Sequence, residues 1–142
     1  MKYLKRFNES SDFATDIKTK QYKDFLLIIG KSSDIFDYFG VEELHGLKKS
    51  ECYDNPEDAY IAGLCNQFPD DPTKQFLFIN EIRIGRSYKD VLLIMHETMH
   101  LSLEVNGHNL EDGDKEEETI TYAEEVALEI CEHLKSIGLL KI

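Results

Sequence analysis

The sequence predicts an α+β fold in which strands come first and two helices follow. Two apolar segments, KDFLLII (23–29) and KQFLFINEIRI (74–84), are short and bounded by chain breakers, as buried strands are. The last third of the chain instead repeats apolar residues at three- and four-residue steps, which is the period of a helix. A chain of 142 residues suits one core, so we expect a single domain over 1–142, with 1–20 as a loosely packed N-terminal arm.

The first half of the chain predicts one strand and one short helix. Residues 23–29 end at Gly30, so this run is expected to be a buried strand, with a helix as the alternative. Ser32 or Ser33 can cap a helix that begins with the sequence DIFDYF, and Gly40 interrupts that helix.

The middle of the chain predicts a β-hairpin. Residues 60–68 and 74–84 flank the sequence PDDPT, whose prolines and aspartates are typical of turns. Because residues 76–79 are all apolar, we expect both faces of the second strand to be buried.

Two helices are predicted after the hairpin. Ser87, followed three residues later by Asp90, predicts the start of the first helix. Asn106 and Gly107 predict its end. The second helix is expected over about 116–137. The apolar residues expected to share its buried face are Ile120, Ala123, Ala127, Ile130, Leu134 and Ile137.

The net negative charge of the chain disfavours nucleic acids as partners. There are 28 acidic and 16 basic residues, and a net charge of −12 disfavours binding to the phosphate backbone of a nucleic acid. The acid excess is local, because residues 104–132 hold eleven acidic residues and one lysine, a net charge of −10. This acidic segment is expected to favour cationic peptide or protein partners.

Cysteine usage and hydropathy predict a soluble, cytoplasmic protein. The three cysteines are odd in number and contain no CxxC pair, so neither a disulfide framework nor a cysteine zinc site is expected. The longest apolar runs, at 25–29 and 91–95, are far shorter than the roughly 20 residues of a membrane span. The N-terminus lacks the apolar stretch of a secretory signal. The sequence leaves the oligomeric state open.

The first of the two C-terminal helices carries an HExxH pattern at residues 96–100. His96 and His100 are four residues apart, so both imidazoles can reach one Zn²⁺ ion. Glu97 is rotated by about 100° from His96 and therefore falls beside the metal. A carboxylate there can take a proton from a zinc-bound water whose pKa is lowered to about 7. We predict that the histidines bind one zinc ion per chain and that Glu97 is the catalytic general base.

Ordinary packing of the two histidines, one in solvent and one in the core, is the alternative to a metal site. It would place two ionisable rings in the apolar helix VLLIMHETMHLSL. An unpaired buried polar group costs roughly 1–3 kcal/mol there, and we therefore favour the metal site.

A catalytic zinc ion usually has three protein ligands, so a third ligand must come from elsewhere in the chain. Glu116 lies four residues before Ile120 and seven before Ala123, and it therefore extends the buried face toward the HExxH helix. Glu117 lies at the edge of that face, and Glu118 is expected to point to solvent. We predict Glu116 as the third ligand, with Glu117 as the alternative.

One explanation without a metal stays open for the three glutamates. An acidic first turn complements the helix dipole, which would explain two of the three.

His108 is the nearest other histidine that could be a third ligand. It lies eight residues after His100 and beyond Gly107, and we therefore expect it to be a loop residue.

Residues 75–130 resemble the gluzincin group of zinc metallopeptidases, and within it the ImmA/IrrE type and related small phage-encoded metallopeptidases. The resemblance is carried by the strand pair, the HExxH pattern, and a helix that opens with three glutamates and continues through Tyr122 and Ala123. The opening sequence MKYLKRFNES also resembles the starts of proteins from tailed bacteriophages, for which the compartment would be the host cytoplasm.

The resemblance implies a minimal zincin-like fold and a zinc endopeptidase, with one glutamate of the last helix completing the metal site. It also implies that a strand from 60–84 borders the cleft and pairs with an extended peptide substrate. Tyr122 and His108 would be the nearby hydrogen-bond donors, although each is expected to be structural or solvent-facing. The alternatives are a zinc-containing regulatory or interaction module of the same fold, and an acidic adaptor protein without metal.

Overall fold

The computed structural model describes residues 17–84, 89–108 and 111–141. Its helices and strands, in chain order, are β1 (Lys18–Gln21), β2 (Leu26–Gly30), α1 (Asp34–Phe39), β3 (Glu43–Leu44), β4 (Leu47–Lys48), β5 (Asp54–Asn55), β6 (Asp58–Ala59), β7 (Gly63–Phe68), β8 (Asp71–Asn80), α2 (Lys89–Asn106) and α3 (Gly113–Ser136). Strands therefore precede two long consecutive helices, and the α+β prediction is confirmed. Within these ranges, the helices lack the length and apolar character that crossing a membrane requires.

Four of these strands form one sheet in the order β1-β2-β8-β7. β2 and β8 are parallel, with Leu26 opposite Phe76, and the other two pairs are antiparallel. β7 and β8 are the predicted hairpin, and Phe68 pairs with Asp71 across the turn at 69–70. β1 and β7 are thus the outer strands. The exposed lysines of β1 discourage further strand pairing on that side.

The two central strands, β2 and β8, are buried on both faces. Leu77 and Ile79 lie on the face that packs against α2 and α3. Phe76 and Phe78 lie on the opposite face, in a cluster with residues of α1 and the β3–β4 hairpin. The burial predicted for 76–79 is confirmed, and the sheet forms a middle layer against which α2 is held.

α1 begins and ends close to the predicted positions. Ser33 is its N-cap residue, although its side chain makes no capping hydrogen bond, and Gly40 ends the helix with φ of +68°. The chain then forms two small hairpins, β3–β4 and β5–β6, that the sequence analysis did not predict. Positive φ angles at His45 and Gly46 fit the tight two-residue turn of the first hairpin.

α2 ends as predicted, whereas the predicted N-terminal arm is only partly described. The helix stops at Asn106, and Gly107 follows with φ of +82°. The predicted helix cap at Ser87 lies outside the described residues, as do residues 1–16 of the arm. Residues 18–20 of the arm belong instead to β1, because they pair with β2.

α3 begins three residues earlier than predicted and ends at Ser136, and its predicted buried face is confirmed at Ala123, Ala127, Ile130 and Leu134. Asp112 caps the helix by accepting hydrogen bonds from the backbone N–H groups of Asp114 and Lys115. Ile120 and Ile137 were predicted to be buried, but they are 37% and 38% exposed. The buried face is formed by Thr119, Ala123, Val126, Ala127, Ile130 and Leu134.

Asn80, at the end of β8, is the centre of a buried hydrogen-bond network. Its side-chain nitrogen donates to Asp54 Oδ1 (2.8 Å) and to the carbonyl of Ile61 (2.9 Å). Its side-chain oxygen accepts from the backbone N–H of Ile82 (3.0 Å). Ser32 Oγ donates to the same Asp54 oxygen (2.7 Å). The network holds the β5–β6 hairpin against the ends of β2 and β8.

Replacing Asn80 by alanine is expected to lower the free energy of unfolding by about 2–3 kcal/mol, because several buried partners would lose their hydrogen bonds. Urea unfolding followed by circular dichroism measures this change. Asn66→Ala, at a partly exposed position of β7, is the matched control and should change the free energy of unfolding by less than about 0.5 kcal/mol. Equal effects of the two substitutions would contradict the role of the network.

Candidate metal and catalytic site

β7 has one edge that no described strand covers. The backbone N–H of Asn80 donates to the carbonyl of Ala62 on the side of β8 (2.9 Å). Because an antiparallel ladder alternates, the N–H and C=O groups of Gly63 and Cys65 point away from β8. At the far end of this edge, the His45 Nε2–H in the β3–β4 hairpin donates to the carbonyl of Gln67 (2.7 Å). Within the described part of the chain, the edge at Gly63 and Cys65 is therefore unpaired, and it can accept an extended chain.

Glu97 of α2 is buried against Gly63 of this strand. Its side chain is 6% exposed. A methyl group on Gly63 would lie 2.9 Å from Glu97 Cγ and Oε2, so the two residues are in direct contact. Burial raises the pKa of the Glu97 carboxyl, and the nearby His96 lowers it by a smaller amount. No residue of the described ranges hydrogen-bonds to this carboxylate, and a buried carboxylate in such surroundings is typical of a functional site.

His96 and His100 lie side by side on the exposed surface of α2. Their Nε2 atoms are 3.2 Å apart, and their rings are inclined at 78°. Two nitrogens bound at tetrahedral angles to one zinc ion would be about 3.3–3.4 Å apart, so the pair fits two ligands of such an ion. The same distance also fits one imidazole N–H donating to the other ring, which is the alternative without metal.

The histidine pair faces away from α3. Ser102 Oγ donates to the carbonyl of Thr119 (2.6 Å), so α3 packs against the side of α2 that carries Thr98 and Ser102. At about 100° per residue, the two histidines lie roughly 160° around α2 from that side. The histidines therefore lie on the side of α2 away from α3, whereas the neighbouring Glu97 contacts Gly63 of β7.

The predicted third ligand is not brought to the histidine pair. Glu116, Glu117 and Glu118 are all exposed in the first turns of α3. In the part of the chain that the structure describes, no three histidine, cysteine, aspartate or glutamate side chains are grouped closely enough to hold a metal ion. Glu116 as third ligand, and Glu117 as its alternative, remain predictions from the sequence.

The two other side chains considered from the sequence have partners elsewhere. His108 is exposed and its Nε2 lies 2.9 Å from Glu104 Oε1. The Tyr122 hydroxyl donates to Asp24 Oδ2 (2.9 Å) in the turn between β1 and β2. Burial, followed by this hydrogen bond, raises the pKa of Tyr122. Tyr122 thus has a structural contact that joins α3 to the β1–β2 turn, and His108 is solvent-facing, as expected.

Two residues of β7 that lie beside Glu97 were not predicted from the sequence as part of the site. Gly63 and Cys65 are two residues apart in the strand, and both lie on the face that meets α2. Burial, with the charges of Glu97 and Glu104, raises the pKa of the Cys65 thiol to about 12. A glycine within a predicted strand often marks close approach of another group, and this signal was available.

The acidic segment 104–132 lines a shallow cavity on α3. The cavity has a volume of about 400 Å³, and its lining residues are Asn106, Glu117, Glu118, Thr121, Tyr122 and Glu125. Three of the six are glutamates, so the surface beside α3 is anionic. Because the histidine pair faces away from α3, this surface is separate from the HExxH residues.

Comparisons of the chain with protein-family models, with curated proteins and with solved structures found no match. A functional assignment therefore depends on the geometry of His96, Glu97, His100 and the open edge of β7.

Proposed function

We propose that this protein is a zinc-dependent metallopeptidase of a minimal zincin-like fold. The proposal is supported by one juxtaposition on α2. The Nε2 atoms of His96 and His100 have the spacing of two zinc ligands (3.2 Å), and the neighbouring Glu97 is buried against the open edge of a sheet. Imidazole nitrogens are ligands that Zn²⁺ prefers in proteins.

Glu97 is the proposed general base. A zinc ion held by His96 and His100 would supply the Lewis acid that activates water and polarises a peptide carbonyl. Glu97 takes the proton of the attacking water, and it later returns that proton to the leaving amine. Contact with Gly63 holds the carboxylate at the edge of β7, and its oxygens have no described hydrogen-bond donor that competes for their lone pairs.

The open edge of β7 is the proposed substrate platform. An extended peptide can pair with the outward N–H and C=O groups of Gly63 and Cys65, as in other cases of strand addition. A peptide held there passes beside Glu97, because Glu97 touches Gly63. The net charge of −10 over 104–132 favours cationic peptides or proteins as partners, and these would contact α3 on a surface separate from the open edge of β7. The proposed compartment is the cytoplasm.

Glu116 is the proposed third ligand, with Glu117 as the alternative. Support comes from the sequence, where three glutamates open the helix that follows the HExxH helix. In the structure both carboxylates are exposed on α3, which packs against the side of α2 that faces away from the histidine pair, so coordination by either of them would require α3 to move.

A zinc-containing regulatory or interaction module is the second candidate function. It is favoured by the small size of the chain, because 142 residues leave little room for an extended substrate cleft. Such a protein would bind an extended segment of one partner along β7 and would hydrolyse ordinary peptides slowly or not at all.

Metal removal separates these two functions. Tag-free protein is expected to carry one zinc ion per chain. It is also expected to cleave casein or a peptide library, because a bound zinc ion would activate the attacking water. Dialysis against a chelator should remove both metal and cleavage, and added Zn²⁺ should restore both. Stoichiometric zinc without cleavage would favour the regulatory module, and purified protein with far less than one zinc per chain would contradict both functions.

A further inference from the structure

We propose that Gly63 is a positioning residue for Glu97, an inference that rests on the proposed peptidase function. A Cβ atom on Gly63 would lie 2.9 Å from Glu97 Cγ, 2.9 Å from Oε2 and 3.1 Å from Cδ. Carbon atoms in proteins pack at about 3.5–4.0 Å, so these positions are too close for a side chain. Cγ is bonded directly to Cβ of Glu97, so a methyl group on Gly63 would force the whole glutamate side chain to turn away.

The backbone conformation does not itself require glycine at this position. The described glycines with positive φ are Gly40, Gly46, Gly107 and Gly138. Gly63 has no such angle and lies in a regular strand paired with β8. Position 63 thus requires glycine because Glu97 occupies the space that a side chain would fill.

Gly63 also connects the proposed base to the proposed substrate platform. Its missing side chain leaves the space for Glu97, and its backbone N–H and C=O groups point to the open edge of β7. A peptide paired with this edge therefore meets Gly63 through its backbone and has the Glu97 carboxylate beside it. Alanine at this position would keep the edge groups and displace the carboxylate.

Gly63→Ala is expected to lower kcat for peptide hydrolysis by about 100-fold or more, because general-base catalysis contributes about 10²–10⁴-fold. The zinc content should equal that of the parent, and KM should stay within about threefold, since backbone pairing with the substrate is retained. Gly113→Ala is the matched control. It makes the same change at the first residue of α3, where nothing lies within 4 Å of the new methyl group, and it should hydrolyse peptides at the parental rate.

A double-mutant cycle on stability tests the contact without any hydrolysis. Gly63→Ala is expected to lower the urea midpoint of the parent more than that of the Glu97→Ala variant. The reason is that Glu97→Ala removes Cγ, Cδ and Oε2, the three atoms that the new methyl group would meet. A fall in kcat without a midpoint shift means that Glu97 has turned into solvent, and this also supports the role.

The positioning role is overturned if Gly63→Ala matches Gly113→Ala in both kcat and urea midpoint. Loss of zinc together with activity also overturns it, since the residue would then be needed for the metal site. If the parent shows no hydrolysis, the proposed peptidase function fails, and the double-mutant cycle alone tests the contact between Gly63 and Glu97. In that case, the contact is refuted if Gly63→Ala shifts the urea midpoint equally in the parent and in Glu97→Ala, or shifts neither.

Discussion

Glu97→Gln is expected to abolish peptide hydrolysis while leaving the zinc content unchanged. Glutamine has nearly the same shape and fits the same space against Gly63, but its neutral amide is a far poorer proton acceptor than a carboxylate. General-base catalysis contributes about 10²–10⁴-fold, so kcat should fall by at least about 100-fold. Initial rates on a peptide substrate and zinc analysis of the same sample measure the two quantities.

Glu132→Gln is the matched control for this substitution. Glu132 is an exposed residue far along α3, so the same chemical change there should leave hydrolysis at the parental rate. Parental hydrolysis by Glu97→Gln would show that the proton is accepted elsewhere. Loss of zinc in Glu97→Gln would assign the carboxylate to metal binding instead of catalysis.

Leu77→Ala is expected to lower the free energy of unfolding by about 2–5 kcal/mol. Leu77 is fully buried in the middle of β8, on the face where the sheet meets α2 and α3. Truncation leaves a cavity that the central strand, paired on both sides, closes only in part. Because single domains are stable by about 5–15 kcal/mol, this change is a large part of the total.

Leu128→Ala makes the same substitution at a residue that is 61% exposed on α3. Its free energy of unfolding should stay within about 0.5 kcal/mol of the parent. Both variants are compared with the parent by urea unfolding. A Leu77→Ala variant as stable as Leu128→Ala would contradict the placement of β8 between two packed layers.

The two central strands, β2 and β8, could be predicted because they are apolar on both faces. Residues 76–79 alternate between two cores, so every position is apolar, and the turn at 69–70 is marked by proline and aspartate. These signals are local in the sequence, and they do not depend on which element packs nearby. The small hairpins after α1 escaped prediction because strands of two residues have no detectable periodicity.

The buried face of α3 was predicted correctly along most of its length, at Ala123, Ala127, Ile130 and Leu134, but a tertiary contact changes it near the N-terminal end. Thr119 is buried through its carbonyl bond to Ser102, and Ile120 is left partly exposed one position later. Glu116 shares the helical phase of Thr119 and Ala123, but it is exposed because burial of this face begins only at Thr119. The side-by-side placement of His96 and His100 could be predicted, because their spacing is fixed within one helix.

Anomalous diffraction at the zinc absorption edge, from crystals of the zinc-loaded protein, tests the central claim most directly. The proposed function predicts one peak bonded to Nε2 of His96 and Nε2 of His100, with a carboxylate of Glu116 or Glu117 as the third ligand and Glu97 outside the coordination sphere. A peak held by the two histidines and a different third ligand would correct the ligand set alone. The absence of any peak between the two histidines would contradict the assignment of this protein as a zinc metallopeptidase.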